Sequence, residues 1–203
     1  MIMKGLLLVA IALLSGCVPA TPPTSQTDRS TPTRYKSQAK KLEKAIFAGG
    51  CFWGLEYRFR QVKGVTRTMV GYTGGHLKNP NYQQVCSHTT GHAEAVLVEF
   101  DPAMVSYRAL ATLFFGEFHN PTQLNRQGPD VGDSYRSAVF CRGDEQESVA
   151  KEVLREAQKG LKDRVCTEIV PASTFWPAEV YHQNYIERTG RYLCPIEPAV
   201  KLS

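Results

Sequence analysis

Apolar residues recur along the chain with two different periods from about residue 44 onward. Alternating or continuous short apolar runs are typical of strands, and apolar residues three or four positions apart are typical of helices. The first pattern predicts strands at residues 44–48, 65–72, 93–100, 135–141 and 166–170. The second predicts helices at residues 52–64, 106–118 with Ser106 as the cap, 144–161 and 178–188.

The core elements follow one another as strand, helix, strand, strand, helix, strand. This is the order of a split-βαβ, ferredoxin-like unit, in which helices pack on a sheet, and it therefore predicts an α+β fold. On the third strand, Glu94 falls on the same face as Val96, Val98 and Phe100. We expect this glutamate to lie on an apolar surface.

The first 17 residues have the layout of a bacterial export signal. Lys4 precedes an apolar run at residues 6–14, which is too short to span a bilayer, and Leu14-Ser15-Gly16-Cys17 follows at once. This tetrapeptide resembles a lipobox, which implies cleavage after residue 16 and a diacylglycerol group on Cys17. An ordinary secretory peptide with an incidental cysteine is the alternative. We expect a protein of the bacterial cell envelope, anchored by lipid to a membrane and outside the cytoplasm.

Three segments follow from these patterns: a lipoprotein signal peptide at residues 1–16, a tether at 17–43 and a folded domain at 44–203. Residues 18–40 are rich in Thr, Pro, Ser and Gln and have no apolar periodicity, so they cannot bury enough surface to fold. Beyond about residue 188 the periodicity fades again. We expect this last stretch, which contains Cys194, to form a long irregular tail.

The composition fits one globular domain, because 42% of the residues are hydrophobic and 21% are charged. The formal net charge is +5, but no cluster of Lys and Arg is interleaved with aromatic residues. Nucleic-acid binding is therefore not expected. We expect a monomer.

Cysteine usage points to a reactive thiol. If Cys17 carries lipid, five cysteines remain, and an odd number in an oxidising compartment leaves at least one unpaired. Cys51 follows Gly49-Gly50, where a strand ends and a helix begins, and a helix N-terminus lowers the pKa of a thiol. Phe52 and Trp53 supply an apolar wall beside it. A buried structural cysteine among core aromatics is the alternative.

Several short motifs resemble segments of one enzyme family in the family's order. They are Gly50-Cys51-Phe52-Trp53-Gly54, Val70-Gly71-Tyr72-Thr73-Gly74-Gly75, Asn79-Pro80-Asn81-Tyr82, Val85-Cys86, Thr90-Gly91-His92-Ala93-Glu94-Ala95-Val96, Asn125-Arg126-Gln127-Gly128, Tyr135-Arg136-Ser137-Ala138 and Tyr181-His182-Gln183. Together they resemble the peptide methionine sulfoxide reductase A family over roughly residues 44–194. The resemblance implies that residues 44–203 form the catalytic domain of such a reductase.

The resemblance also implies a role for each matching position. It implies Cys51 as nucleophile, Glu94 as proton donor, Tyr82 and Tyr135 as ligands of the sulfoxide oxygen, Phe52 and Trp53 as the wall that binds the methyl group, Asp130 as an acidic residue near the substrate, and Cys194 as the resolving cysteine. It further implies reduction of the S epimer of methionine sulfoxide, free or in proteins. A thioredoxin or thioredoxin-like dithiol would regenerate the enzyme, and no bound cofactor is expected. In the envelope, such an enzyme would repair oxidised proteins.

The chemistry accounts for these residue types. A sulfoxide oxygen is a poor leaving group, so attack by a thiolate on the sulfur requires a proton or strong hydrogen bonds at that oxygen. Burial of Glu94 on an apolar strand face would raise the pKa of its carboxyl group and keep it protonated, as a general acid requires. A solvated glutamate at the end of a strand is the alternative. Cys51 would become a sulfenic acid, which Cys194 would condense to a disulfide for reduction by an external dithiol.

Two other functions use the same residues. Cys86, His88, His92 and Glu94 have the spacing of a metal-ligand cluster, as in an exported metal-binding lipoprotein. A thiol peroxidase would share the sulfenic acid intermediate. Because the family uses Glu94 as an acid, we expect no metal and a structural, hydrogen-bonding role for His92.

The chain departs from the family pattern at one position, and its tail contains few cysteines. His119-Asn120-Pro121 stands where the family commonly has His-Asp-Pro, which removes a carboxylate that could support the pocket. The tail contains a single cysteine, so a relay between two tail cysteines is excluded. Cys141 and Cys166, each at the end of a predicted strand, could form a structural disulfide or be buried thiols.

Overall fold

The computed structural model describes residues 41–192. The first half of the fold consists of β1 (Glu43–Gly49), α1 (Phe52–Arg60), β2 (Val65–Thr73), α2 (Tyr82–Cys86), β3 (Ala93–Phe100), α3 (Tyr107–Leu113) and a π-helical turn (Phe114–Phe118). The second half consists of β4 (Arg126–Gln127), β5 (Asp130–Val131), a 3₁₀ turn (Asp133–Tyr135), β6 (Ser137–Cys141), α4 (Asp144–Lys159), β7 (Glu168–Pro171), β8 (Trp176–Pro177), a second 3₁₀ turn (Val180–His182) and α5 (Tyr185–Thr189).

Six strands form one mixed sheet in the order β7-β6-β1-β3-β2-β8, and β4 pairs with β5 in a separate hairpin. β3 is antiparallel to both β1 and β2, so the two strands joined through α1 run parallel with β3 between them. β6 completes this core by pairing antiparallel with β1. The predicted α+β, ferredoxin-like split-βαβ arrangement is confirmed.

The alternation of side chains along β3 divides the core between the two faces of the sheet. Val96, Val98 and Phe100 belong to the larger apolar cluster, which includes the buried apolar side chains of α1, α3 and α4. Ala93 and Ala95 belong to a smaller cluster on the opposite face. Glu94 shares the parity of the first set, so its carboxyl group lies on the face that the helices cover, as predicted.

The caps of the helices follow local sequence. The Ser106 side chain accepts a hydrogen bond from the backbone of Ala109, which confirms the predicted cap of α3. At α2, Asn81 and Gln84 form a capping box. No helix among residues 41–192 is long and apolar enough to span a membrane.

Several predicted elements differ from the structure, including the helix predicted at residues 52–64, which ends at Arg60. Tyr135 lies in a 3₁₀ turn and β6 begins only at Ser137, while β7 begins at Glu168 and leaves Cys166 outside the sheet. The helix predicted at residues 178–188 is divided into a 3₁₀ turn and α5. Asn184 separates them because its backbone is left-handed, with φ of 52°, and a helix cannot continue through that conformation.

Candidate active site

A cavity of about 190 Å³ opens beside the start of α1. It is lined by Cys51, Phe52, Trp53, Tyr82, Glu94, Asp130 and Tyr135. These are all of the predicted catalytic and substrate-binding residues that lie within residues 41–192. The structure therefore brings side chains from α1, α2, β3, β5 and the first 3₁₀ turn to one place.

The turn between β1 and α1 positions Cys51. Gly50 has a φ of 87°, and a Cβ at this residue would lie 2.6 Å from the Cβ of Gln127. Only glycine fits this close approach without strain. Cys51 follows as the residue that caps α1, with its carbonyl oxygen accepting the first helical hydrogen bond, from Leu55.

Glu94 is buried and accepts a hydrogen bond of 3.0 Å from the backbone N–H of Phe52. Burial raises the pKa of its carboxyl group to about 8, because the charged form loses its hydration, and the charge of Asp130 acts in the same direction. The Phe52 N–H opposes the shift without cancelling it. At neutral pH this carboxyl group is therefore mainly protonated and can donate a proton.

Two tyrosine hydroxyls line the same cavity. Burial raises the pKa of both Tyr82 and Tyr135, so both hydroxyls are neutral hydrogen-bond donors. Tyr82 is fixed at the start of α2, where its backbone N–H donates to Glu179 at 2.9 Å. The cavity thus combines a thiol, a protonated acid and two donors.

The indole of Trp53 is held by two residues to which the sequence patterns assign no role. Its Nε1–H donates to Nδ1 of His182 at 3.0 Å, and its ring stacks on Tyr185 at 3.9 Å between centroids. The one sequence signal for His182 is its place in the motif Tyr181-His182-Gln183. Tyr185 carries no such signal.

Comparison with known proteins identifies the family. The sequence model of the family described as peptide methionine sulfoxide reductase matches residues 43–203. The chain belongs to the peptide methionine sulfoxide reductase family. A relative from Methanosarcina mazei named MsrA is 53% identical over 158 residues, covering 77% of this chain and 74% of its own. Another from Geobacter sulfurreducens, of the same name, is 52% identical over 155 residues, covering 75% and 95%.

Solved structures agree with this assignment. Mxr1 from Saccharomyces cerevisiae in its reduced form superposes with a TM-score of 0.75 at 32% identity, covering 79% of this chain and 93% of its own. Methionine sulfoxide reductase A of Corynebacterium diphtheriae gives 0.71 at 36% identity, covering 78% and 80%. A complex of the yeast protein with Trx2 shares the fold, with a TM-score of 0.55 at 22% identity, and covers 83% and 97%. The predicted family and enzyme class, a peptide-methionine sulfoxide reductase, are confirmed.

The departure at Asn120 is accommodated locally. Its side-chain oxygen accepts hydrogen bonds from the backbone N–H of Thr122 at 3.0 Å and from the Thr122 hydroxyl at 2.7 Å. An aspartate would accept the same two bonds. Asn120 does not line the cavity of this reductase.

The cluster predicted by the metal-binding alternative is not assembled as a metal site. Nδ1 of His92 accepts from the backbone N–H of Gly75 at 3.1 Å, and Nε2 lies 2.7 Å from the carbonyl oxygen of Leu77. Both nitrogens are therefore engaged by backbone, which confirms the structural role of His92. Within the described part of the chain, no group of three His, Cys, Asp or Glu side chains is arranged to hold a metal ion.

The remaining cysteines of the reductase are described in part. Cys141 and Cys166 are both free thiols, so the alternative of a disulfide between them is not realised in the structure. Cys141 is buried in the core, and the Cys166 thiol contacts the carbonyl oxygen of Thr122 at 3.5 Å. Cys194 and Cys17 lie outside the described residues, and their predicted roles stay predictions.

Proposed function

We propose that this enzyme reduces the S epimer of methionine sulfoxide, free and in proteins, with Cys51 as nucleophile and Glu94 as general acid. The observation that carries the proposal is the location of a carboxyl group protonated at neutral pH in the same small cavity as Cys51. A pKa near the working pH is what efficient proton donation requires.

The side chains that line the cavity have different roles in binding and reaction. Phe52 and Trp53 form an apolar wall for the methyl group, and the hydroxyls of Tyr82 and Tyr135 donate hydrogen bonds to the sulfoxide oxygen. The Cys51 sulfur attacks the sulfoxide sulfur while Glu94 delivers a proton to the oxygen. The methionine sulfur gains two electrons and the Cys51 sulfur loses them, so the products are methionine and a Cys51 sulfenic acid.

Regeneration requires Cys194 first and then an external dithiol. Cys194 attacks the sulfenic acid, releases water and forms a Cys51–Cys194 disulfide, which an external dithiol then reduces to two thiols. Cys194 follows from the resemblance and from its place in the tail. The complex of yeast Mxr1 with Trx2 supports thioredoxin, or a thioredoxin-like protein, as the dithiol.

We propose that the enzyme works in the bacterial cell envelope and repairs oxidised proteins there. The support is the export signal at residues 1–16 with Cys17 placed for lipidation, followed by a tether rich in Thr, Pro and Ser. Because this compartment lies outside the cytoplasm, the reductant must be supplied there.

The reaction is tested with thioredoxin as reductant and with each epimer of methionine sulfoxide in turn. Wild type turns over the S epimer continuously, Cys51→Ser is inactive, and Cys194→Ser releases about one methionine per enzyme and stops. Cys166→Ser, which lies outside the cavity, serves as the control and retains full activity. Continuous turnover by Cys194→Ser with thioredoxin would refute the resolving role, and equal rates for both epimers would refute the stereochemistry.

The location is tested separately. The full chain, expressed in bacteria, should take up radiolabelled palmitate and sediment with membranes, whereas Cys17→Ser should do neither. A wild-type chain that stays unlabelled and is recovered with cytoplasmic markers contradicts the anchor, without affecting the proposed chemistry.

A further inference from the structure

The wall of the cavity depends on a buried imidazole. His182 is 1% exposed, and its Nδ1 accepts the hydrogen bond from Trp53 Nε1–H at 3.0 Å. An indole nitrogen can only donate, so Nδ1 carries no proton. The neutral ring must therefore carry its proton on Nε2.

The surroundings of His182 favour this neutral form. Aromatic rings approach it from three elements, with centroids at 5.1 Å for Phe52 on α1, 4.4 Å for Tyr82 on α2 and 4.2 Å for Tyr181 in its own turn. The charged group that faces it is Glu179, whose Oε2 lies 4.0 Å from Nε2, beyond hydrogen-bond distance. Burial lowers the pKa of His182, and the Glu179 carboxylate opposes this only in part.

The segment that carries His182 is itself fixed. The Gln183 side chain accepts from the backbone N–H of Val70 at 2.9 Å and donates to its carbonyl oxygen at 2.9 Å, as an additional strand residue would. Next to it, the backbone N–H of Asn184 donates to the buried carboxylate of Glu56 at 2.8 Å. The segment is thus attached to β2 and α1, so its histidine has a defined place against the indole.

We propose that His182 is a positioning residue, which acts through Trp53 and holds its indole in the orientation that shapes the substrate cavity. Tyr185 stacks on one face of the Trp53 indole at an interplanar angle of 10°. The hydrogen bond prevents the indole from rotating within its own plane, a motion that stacking alone would allow. If the imidazole of His182 took up a second proton, its Nδ1–H would face the Nε1–H of Trp53, and the hydrogen bond would break. This inference rests on the proposed role of Trp53 as a wall of the pocket.

Two variants of His182 test the hydrogen bond itself. His182→Leu removes the acceptor, and kcat/KM for methionine sulfoxide should fall about tenfold, since the half-buried indole N–H is left unpaired and the ring loses its fixed orientation. His182→Asn can place its amide oxygen near the position of Nδ1 and should recover most of that loss. In a Trp176→Phe background, acrylamide should quench Trp53 fluorescence more strongly in the Leu variant than in the Asn variant. Folded Leu and Asn variants that are equally impaired, or a Leu variant with wild-type activity and quenching, would overturn the proposal.

A measurement on the wild-type enzyme tests the same hydrogen bond without replacing His182. With ¹⁵N-labelled tryptophan, the Nε1–H of Trp53 should exchange slowly with solvent and shift in a single transition on the acid side, while Trp176 serves as reference. Glu179→Gln should move this transition to lower pH, because a neutral amide no longer stabilises the imidazolium. Two indole signals that exchange freely and do not respond to pH would contradict the proposal.

Different results would contradict the role of Trp53 as a wall and the role of His182 in positioning it. If Trp53→Ala keeps the full kcat/KM, Trp53 does not act as the wall and the proposed function needs revision at that point. The slow exchange and acid transition of the indole in wild type would then still show the bond to His182.

Discussion

Replacing Glu94 with Gln tests whether the cavity holds its acid in the protonated form. A glutamine oxygen can still accept the hydrogen bond from Phe52 N–H, so the substitution removes the titration and retains the contact. The pKa of the Glu94 carboxyl group is about 8 in the folded chain, compared with an ordinary value of 4.5. The folded state therefore binds this proton more tightly than the unfolded state does.

The sign and size of the effect on stability follow from linkage. Because the pKa is raised on folding, the contribution of Glu94 is fully present below pH 4.5 and is lost as pH rises towards 8. Between the two pKa values the loss is about 1.4 kcal/mol per pH unit, which amounts to roughly 2–3 kcal/mol from pH 5.5 to 7.5. The Glu94→Gln variant lacks this pH dependence. Its free energy of unfolding, relative to that of wild type, should therefore increase by the same amount between pH 5.5 and 7.5.

Urea unfolding of both proteins at intervals between about pH 5 and 8 measures the difference directly. Other titrating groups, whose contributions have the same pH dependence in both proteins, cancel when the two free energies of unfolding are subtracted. A difference that stays constant with pH would show that Glu94 titrates normally and would remove it as a general acid at neutral pH.

Three further outcomes are expected. The single-turnover rate of wild type should fall about tenfold per pH unit above the pKa of Glu94, as its protonated fraction declines; a rate that is flat to pH 10 would contradict this. Asp130→Asn should lower the pH at which the single-turnover rate begins to fall, because the Asp130 charge raises the pKa of Glu94. Asp133→Asn serves as the charge-matched control. Gly50→Ala should destabilise the fold by about 1–3 kcal/mol at its φ of 87°, whereas Gly160→Ala, at −89° and with its nearest neighbour at 3.7 Å, should change stability by less than about 1 kcal/mol. Equal unfolding midpoints for the two alanine variants would contradict the account of the turn.

The parts of the fold that follow from local pattern are predictable from the sequence. Alternation along β3 assigns Glu94 to the same face as Val96 and Val98, and the carboxyl group is indeed buried on that face. Paired glycines before Cys51 predict the turn from strand to helix. These features depend on neighbours in sequence, which pattern reasoning can use.

The parts that depend on tertiary approach or on short elements are not predictable from pattern. The bond from Trp53 to His182 joins residues 129 positions apart, and no periodicity links them. α2 has five residues, too few to show a helical period, although it carries Tyr82. The left-handed backbone of Asn184 divides a predicted helix in two. Tyr82 and Tyr135 are therefore identified through resemblance to the family.

The most direct test of the central claim is the chemical state of Cys51 after one turnover. Cys194→Ser is mixed with excess methionine S-sulfoxide and dimedone without a reductant, and the products are quantified by peptide mass spectrometry. We expect about one methionine per enzyme and an equal amount of dimedone adduct on Cys51. Methionine formed without an adduct on Cys51, or with the adduct on Cys86, would contradict the account.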